Sequence, residues 1–327
     1  MFTVIFIIAV LVILFNAVNS SLNHPHDPTL KTGTSGKEEA DWEEIKVETA
    51  PPVKEETGRK EEEKKETVKP QPSRKPESYE RLFGLVGKPL GHSQSMVRFN
   101  KMFREQHINA HYDNYELDNI EQVKSLVSDN PNLSGFNVTI PYKEEIIPYL
   151  DRIDDTAAAI GAVNTVRVIH KDSKTQLIGY NTDWIGFTES FGSLLEGHHK
   201  ALILGTGGVS KAVKYALDRL GIESRFVSRS STFDILGYYE LSPSLMEEYD
   251  VIVNCTPLGM WPDIAQSPDI PYTFLSEGHL LLDVIANPDE TLFLKKGREH
   301  GATVKGGKDM LEQQAIAAWK IWDSKEI

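Results

Sequence analysis

A glycine-rich turn at residues 202–212 limits what this chain can fold into more than any other feature. Its sequence, Leu-Ile-Leu-Gly-Thr-Gly-Gly-Val-Ser-Lys-Ala, joins a short apolar run to a helical pattern. Gly205 permits a tight turn, and Gly207 lets the backbone approach phosphates because it has no Cβ. The helix opening at Gly208 offers free N–H groups to an anion, and Ser210 replaces the usual third glycine. The turn predicts a dinucleotide site, with a glycine turn that holds no ligand as the alternative.

The next strand-like run, residues 223–231, indicates which dinucleotide would bind. It ends in Arg229, flanked by Ser228 and Ser230, and carries no Asp or Glu where a ribose 2′-hydroxyl would be held. A guanidinium there pairs bidentately with a 2′-phosphate, whereas a carboxylate would repel it. The residues therefore favour NADP over NAD. An exposed arginine in a strand–helix loop is the structural alternative.

Charge and cysteine content exclude several classes of protein. The 327 residues carry a net charge of −13, which argues against nucleic acid as a partner. The single cysteine, Cys255, excludes a disulfide framework and lies in an apolar run, where an inert buried thiol is expected. No zinc-type spacing of Cys and His occurs, so no metal site is predicted. The sequence leaves a monomer and a homodimer equally open.

The first 78 residues differ from the rest. Residues 1–22 contain an almost wholly apolar stretch that suits a signal peptide or a tilted membrane anchor, and a misassigned start is a third explanation. Residues 23–78 are rich in Glu, Lys, Pro and Thr and predict a disordered charged linker. Export would separate an NADPH-dependent enzyme from its cofactor. The catalytic part is therefore expected in the cytoplasm, whether or not residues 1–22 tether it to a membrane.

From Tyr79 onwards, apolar runs alternate with helical patterns, which predicts an α/β protein with parallel sheets. The glycine turn lies well past the middle, so an α/β substrate-binding domain at 79–182 is expected before a Rossmann domain at 183–308. A final helix, 309–327, is expected to pack back across the hinge. The predicted strands are 82–86, 110–115, 135–139, 163–168, 202–204, 224–227, 251–254 and 280–284. The predicted helices are 97–106, 120–128, 144–150, 186–196, 210–220, 289–300 and 310–322.

Four segments of the first domain hold more polar groups than core packing requires. Ser93 and Ser95 follow a strand, and hydroxyls so spaced can donate to one carboxylate, although this segment taken alone favours a cap for the helix that follows. Asn137 and Thr139 share one face of a strand that ends before Lys143, a candidate proton donor or acceptor. The remaining two segments are Gly-Ala-Val-Asn-Thr, with Asn164, and Asn-Thr-Asp, with Asp183, whose amide and carboxylate suit vicinal hydroxyls.

In this order, with Gly-x-Gly-Gly, Asn287-Pro288 and Met310-Leu-x-x-Gln314, the motifs make residues 80–327 resemble the shikimate dehydrogenase family. The resemblance implies NADPH-dependent reduction of 3-dehydroshikimate to shikimate, on the route to chorismate and the aromatic amino acids. It implies that Lys143 and Asp183 form the catalytic pair and that Ser93 and Ser95 bind the substrate carboxylate. The residues expected around the ring hydroxyls are Thr139, Asn164 and Gln314, with Asn137 beside them on its strand.

The same resemblance implies the cofactor contacts. The pyrophosphate is expected on Gly205, Thr206, Gly207, Gly208 and Val209. The 2′-phosphate is expected on Ser228, Arg229 and Ser230, and the nicotinamide between Val284 and Gly307.

Two positions depart from the family pattern. Met96 stands where the family has proline, and Ala286 stands where it has a substrate-contacting tyrosine, so a hydrogen bond to the substrate is lost. Two alternatives therefore remain open. One is a quinate/shikimate dehydrogenase that uses NAD, which Arg229 argues against. The other is a tethered non-catalytic binding protein, which the presence of both Lys143 and Asp183 argues against.

Overall fold

The computed structural model describes residues 79–91, 93–171 and 174–324, which belong to one compact unit spanning Lys69–Ile327. Residues 1–22 and 23–78 lie outside the described residues, so the signal-peptide, anchor and linker interpretations of them stay predictions. Within the described ranges, no helix has the length and apolar character that a membrane crossing requires. Two six-stranded sheets with helices packed on them form this part of the chain, as the α/β prediction requires.

The first sheet has the strand order β2-β1-β3-β5-β6-β4. Its strands are β1 (Arg81–Gly87), β2 (Ala110–Glu116), β3 (Leu133–Val138), β4 (Arg152–Ile153), β5 (Thr165–Lys171) and β6 (Lys174–Tyr180). Three helices accompany it, α1 (Ser95–Glu105), α2 (Val123–Asp129) and α3 (Asp155–Ile160). Apolar side chains of β1, β3 and β5, including Val86, Phe136 and Val166, are fully buried in the core of this sheet.

This first sheet is mixed, which corrects the expectation of parallel strands. β1 pairs in parallel with β2 and β3, but β5 runs antiparallel to both β3 and β6. Only residues 172–173 separate β5 from β6, and a connection so short allows only an antiparallel hairpin. The sequence of β6 starts with polar residues, and for that reason its pattern does not predict a strand.

The second sheet is wholly parallel. It follows α4 (Asp183–Phe191) and consists of β7 (Lys200–Leu204), β8 (Glu223–Ser228), β9 (Ile235–Gly237), β10 (Val251–Asn254), β11 (Leu280–Asp283) and β12 (Thr303–Lys305). The helices along it are α5 (Gly208–Arg219), α6 (Pro243–Glu248), α7 (Leu292–Glu299) and α8 (Lys308–Asp323). Its order, β12-β11-β10-β7-β8-β9, is the Rossmann order 3-2-1-4-5-6 read from the other edge.

Local chemistry sets several element boundaries. The Thr291 hydroxyl accepts a hydrogen bond from Leu294 N at the start of α7, and the Ser242 hydroxyl caps α6 in the same way. Gly161 ends α3 with φ +73°, a left-handed conformation that favours glycine. The helix predicted over 144–150 is wrong. Those residues form turns and a short 3-10 helix at Ile147–Tyr149, where Pro148 removes a backbone donor.

The final helix confirms the predicted return across the hinge. Met310, near its start, belongs to the core of the second sheet, whereas Ala318 and Trp322 belong to a core of the first sheet. Gly135 leaves room for this helix, because a Cβ there would lie 2.3 Å from the Trp322 indole nitrogen. That nitrogen donates to Val166 O at 2.9 Å, so the last helix is fixed to β5.

Candidate functional site

A cavity of about 1090 Å³ is lined by residues of both sheets. Lys143, Thr139 and Asp183 line it from the first sheet and the start of α4. The glycine turn lines it from the carboxyl end of β7, beside the loop that follows β10. β7 and β10 are the strands between which the Rossmann order reverses, the place where this fold binds dinucleotides.

Lys143 and Asp183 form an ion pair at this cavity. The Lys143 Nζ lies 2.7 Å from Asp183 Oδ2, and the two side chains are 15% and 2% exposed. The second carboxylate oxygen accepts from Asn164 Nδ2 at 2.8 Å. Asp183 is the first residue of α4, where the helix N-terminus stabilises a negative charge. The pairing predicted from separate motifs is therefore present in the structure, and both side chains line the cavity.

Asn164 hydrogen-bonds two residues that line the cavity, Asp183 and Gln314. It is 2% exposed, and its amide nitrogen lies within hydrogen-bonding distance of Asp183 Oδ1, Gln314 Oε1 and Thr182 Oγ1. Gln314 lines the cavity from α8. Within the described residues the Gln314 amide nitrogen has no protein partner, so it is available to a ligand. A direct contact between Asn164 and substrate stays a prediction.

Asn137, another expected substrate contact, is hydrogen-bonded to three protein groups. Its side chain does not line the cavity. Its amide nitrogen donates to Asn164 O and to Thr165 Oγ1, and its carbonyl oxygen accepts from the Tyr112 hydroxyl at 2.9 Å. These bonds fix Asn137 beside Asn164, and a direct contact between Asn137 and substrate stays a prediction.

Ser93 and Ser95 lie at the start of α1, outside the cavity lining. The Ser93 hydroxyl accepts from Ser95 N at 3.3 Å, and no side chain caps α1 through its N-cap residue, Gln94. Burial raises the pKa of the Tyr112 phenol, and the nearby Ser95 opposes that rise. The Tyr112 hydroxyl donates to Asn137 Oδ1 at 2.9 Å. Carboxylate binding by the two serines stays a prediction.

The glycine turn fits a pyrophosphate. Gly205 has φ +103°, which a residue with a side chain adopts only under strain. A Cβ on Gly207 would meet nothing within 4 Å, so this surface is open to a ligand. Gly207 is the N-cap of α5, whose first N–H groups have no helical acceptor and favour an anion. Gly205 to Val209 all line the cavity, and their contact with a pyrophosphate stays a prediction.

The carboxyl end of β8 places an exposed cation at the cavity. Ser228 and Arg229 line the cavity there, whereas Ser230 does not. Arg229 is exposed and has no ion-pair partner in the described part of the chain. Burial raises the pKa of Tyr238 to about 12, and the nearby Arg229 guanidinium opposes that rise. Arg229 is thus an available cation beside a phenol ring.

Val284 and Ala286 line the opposite end of the cavity, together with Cys255. Gly307 does not line it but packs against this segment, since a Cβ on Gly307 would lie 2.4 Å from Val284 O. Cys255 is a free thiol whose pKa is raised by burial, which disfavours the thiolate and agrees with the inert thiol expected from sequence. Met96, the other departure from the family pattern, lies in α1 and packs against the buried cluster that includes Phe99 and Phe103.

Asp283 holds this end of the cavity in shape. Its fully buried carboxylate accepts from Thr291 Oγ1 at 2.6 Å, from Ile285 N at 3.0 Å and from Asn254 Nδ2 at 3.2 Å. Asn254 also accepts from Thr256, which lines the cavity. Burial raises the pKa of Asp283 to about 6, although the three donors oppose the rise.

The raised pKa of Asp283 predicts that the stability of the fold depends on pH. Because its pKa is higher in the folded chain than in the unfolded one, the folded state binds the extra proton, and this group's contribution to stability falls as pH rises towards 6. We expect the stability advantage of the wild type over Asp283→Asn to shrink by about 2 kcal/mol between about pH 4.5 and pH 6.5. Urea unfolding of both proteins across this range measures it. A constant difference would show that Asp283 does not titrate there.

Several lining residues were not predicted from sequence. Thr256, Pro257 and Leu258 follow β10, a strand whose limits were predicted, so the rule that ligands bind at the carboxyl ends of strands could have found them. Tyr238 and Tyr239 follow the unpredicted three-residue strand β9, and no motif marks them. Ser267 and Asp269 lie in a long loop without a periodic pattern.

The parallel sheet, the glycine turn at its switch point and the Lys143–Asp183 pair on one cavity define a two-domain dehydrogenase of the Rossmann type. Residues 85–166 match the family profile of the shikimate dehydrogenase substrate binding domain. The chain is 35% identical to a shikimate dehydrogenase (NADP(+)) of Methanococcus vannielii over 263 residues, 74% of this chain and 90% of that protein. The chain belongs to the shikimate dehydrogenase family.

Solved structures agree with this family. A crystal structure of shikimate dehydrogenase from Aquifex aeolicus matches with a TM-score of 0.65 at 37% identity, covering 76% of this chain and 94% of that one. The shikimate 5-dehydrogenase from Thermus thermophilus, solved with NADP(H) and shikimate, also gives 0.65, at 27% identity over 74% of this chain and 93% of that one. The N-terminal substrate-binding and C-terminal Rossmann arrangement expected from sequence is confirmed.

Proposed function

We propose that this chain is an NADP-dependent shikimate dehydrogenase that reversibly reduces 3-dehydroshikimate to shikimate, a step of aromatic amino-acid biosynthesis. The observation that carries the proposal is the Lys143–Asp183 ion pair, which faces the same cavity as the glycine turn. The relative from Methanococcus vannielii, at 35% identity, is named shikimate dehydrogenase (NADP(+)). An NADPH-dependent reaction favours a cytoplasmic location for the catalytic part.

Held by the glycine turn, NADPH would supply the hydride that the carbonyl carbon of the substrate receives. Negative charge then develops on the carbonyl oxygen, and the Lys143 ammonium group stabilises that charge and donates a proton to the oxygen. In the reverse direction Lys143 takes the proton of the alcohol. Asp183 keeps the lysine oriented through the 2.7 Å ion pair, and Asn164 keeps Asp183 oriented in turn.

The remaining roles follow from position. Gln314 has an amide nitrogen available at the cavity, and Thr139 lines the same cavity, so both suit the ring hydroxyls. Ser93 and Ser95 are assigned the substrate carboxylate. Gly205 to Val209 would hold the pyrophosphate, and Arg229 with Ser228 would hold the 2′-phosphate.

A comparison of four reactant pairs tests the proposal. The purified chain is assayed for oxidation of shikimate and of quinate, each with NADP and with NAD, by the absorbance of reduced nicotinamide. We expect the highest kcat/KM for shikimate with NADP. A preference for quinate with NAD would support the alternative enzyme, and no turnover with any pair would support the non-catalytic alternative.

Ala286→Tyr tests the departure from the family pattern. Ala286 lines the cavity, so a phenol ring there has space and adds a donor for the substrate. We expect the KM for shikimate to fall about fivefold, the worth of one hydrogen bond of about 1 kcal/mol. Ala286→Phe is the matched control, because it adds the ring without the hydroxyl and should leave KM nearly unchanged. A higher KM in Ala286→Tyr would instead indicate a pocket shaped for another cyclic hydroxy acid.

A further inference from the structure

The stem of Lys143 lies against the first residue of the cofactor helix. A Cβ added to Gly208 would lie 2.9 Å from Lys143 Cβ, 3.3 Å from Lys143 Cδ and 3.3 Å from Ala162 Cβ. Such distances require the neighbouring atoms to move. Gly208 is not one of the glycines with positive φ, so its backbone does not need glycine. The need for glycine at this position comes from the lysine.

The adjacent glycine faces elsewhere. A Cβ added to Gly207 would have nothing within 4 Å, and Gly207 lines the cavity at the start of α5. Its φ of −79° is accessible to alanine. Two consecutive glycines therefore have different surroundings. Gly207 borders the space for the phosphates, and Gly208 borders the lysine stem.

An ion pair joins the same two segments close to this contact. Lys211 Nζ in α5 lies 2.5 Å from Glu144 Oε2, and Glu144 directly follows Lys143 in the chain. On the same helix, Ala212 packs against Ile160 and Ala162 in a small buried cluster. The carbonyl oxygen of Lys143 is held by Val163 N at 2.7 Å, so the backbone next to this contact is also fixed.

We propose that the first turn of α5 positions Lys143 for proton transfer, through the contact with Gly208 and the Lys211–Glu144 ion pair. The helix turn that offers its N–H groups to the pyrophosphate thereby also sets where the ammonium group lies in the cavity. Gly208, Lys211 and Glu144 are positioning residues that act through Lys143. This inference rests on the proposed function, in which Lys143 is the proton donor.

The two glycines provide a matched test. Gly208→Ala keeps the backbone N–H that is assigned to the pyrophosphate, whereas its methyl group displaces the lysine stem by about half an ångström. We therefore expect kcat to fall about tenfold while the dissociation constant for NADP changes less than about twofold. In Gly207→Ala the methyl group enters the phosphate space, so we expect the NADP dissociation constant to rise with a smaller change in kcat. Steady-state kinetics and fluorescence titration with NADP measure both. Equal effects of the two substitutions on NADP binding would overturn the proposal.

The ion pair is tested by a double-mutant cycle. We expect kcat to fall about threefold in Lys211→Gln, in Glu144→Gln and in the double variant. The two single effects should not add in the double variant, because each substitution breaks the same exposed pair. Lys214→Gln is the control, since Lys214 lies on the same helix and pairs with Asp218 in the helix itself. A rise in the NADP dissociation constant in Lys211→Gln alone would make Lys211 a phosphate contact and overturn its positioning role.

Lys143→Ala separates this inference from the proposed function. If Lys143→Ala retains near-normal turnover, the proposed function fails. If Lys143→Ala is inactive but Gly208→Ala keeps the wild-type kcat, the proposed function stands and the positioning inference is wrong. Because alanine is a better helix former than glycine, normal NADP binding by Gly208→Ala is expected to show an intact α5.

Discussion

Lys143→Ala is expected to lower kcat for reduction of 3-dehydroshikimate at least about a hundredfold, with a smaller change in KM. Positioned acid–base groups contribute on this scale, and the group that would stabilise the developing oxyanion is lost with the side chain. In the structure no other lysine lines the cavity within the described residues, so none replaces it. Initial rates of NADPH oxidation measure the loss. Turnover near that of the wild type would contradict the assignment.

The substitution needs a control for folding, because it leaves the Asp183 carboxylate buried without its cation. Breaking a buried pair in this way costs about 3–5 kcal/mol of stability. The double variant Lys143→Met with Asp183→Asn removes both charges, and we expect it to be folded by circular dichroism and still inactive. Lys88→Ala removes a lysine whose partner, Asp118, is on the surface, and it should leave kcat unchanged.

Arg229→Ala is expected to weaken NADP binding about thirtyfold while NAD binding changes little. Only NADP carries the 2′-phosphate, and a charge-assisted bond to it is worth about 2 kcal/mol. Arg229 lines the cavity at the end of β8 without an ion-pair partner among the described residues, so its guanidinium is available. Fluorescence titration with each cofactor measures the two dissociation constants.

The control for this prediction is Arg298→Ala. Arg298 lies in α7 in the same half of the molecule, outside the cavity lining, and pairs with Glu290. Its removal changes the net charge equally and should leave both dissociation constants unchanged. An equal loss of NADP and NAD affinity in Arg229→Ala would make Arg229 a structural residue instead.

The second sheet was predictable from the sequence to a large extent. Its central strands are buried on both faces and therefore consist mostly of apolar residues, as in Val251–Asn254, where three apolar residues precede Asn254 and the predicted limits agree with the structure. The short strands β9 and β12 were not predicted, because three residues at a sheet edge carry too little pattern. In the first sheet, β6 has few apolar residues, so neither the strand nor the antiparallel hairpin was expected.

The site was predictable where a residue type is tied to chemistry. Lys143, Asp183 and the glycine turn line one cavity as expected. The protein partners of Asn137 were not predictable, because its position on a strand indicates which face the side chain is on and not which groups it meets there. Those partners, Tyr112 and Thr165, come from other strands and are brought to it only by the fold.

In the proposed reaction a hydride passes between NADP and a shikimate-type substrate while Lys143 donates or accepts the proton. The stoichiometry of the forward reaction, measured with the purified full-length chain, tests both parts. NADPH consumption is followed by absorbance, and the product of 3-dehydroshikimate is identified by chromatography. We predict one shikimate formed for each NADPH consumed in the wild type, and at most about a hundredth of either rate in Lys143→Ala. NADPH consumption without shikimate, or shikimate formation by Lys143→Ala at the wild-type rate, would contradict the account.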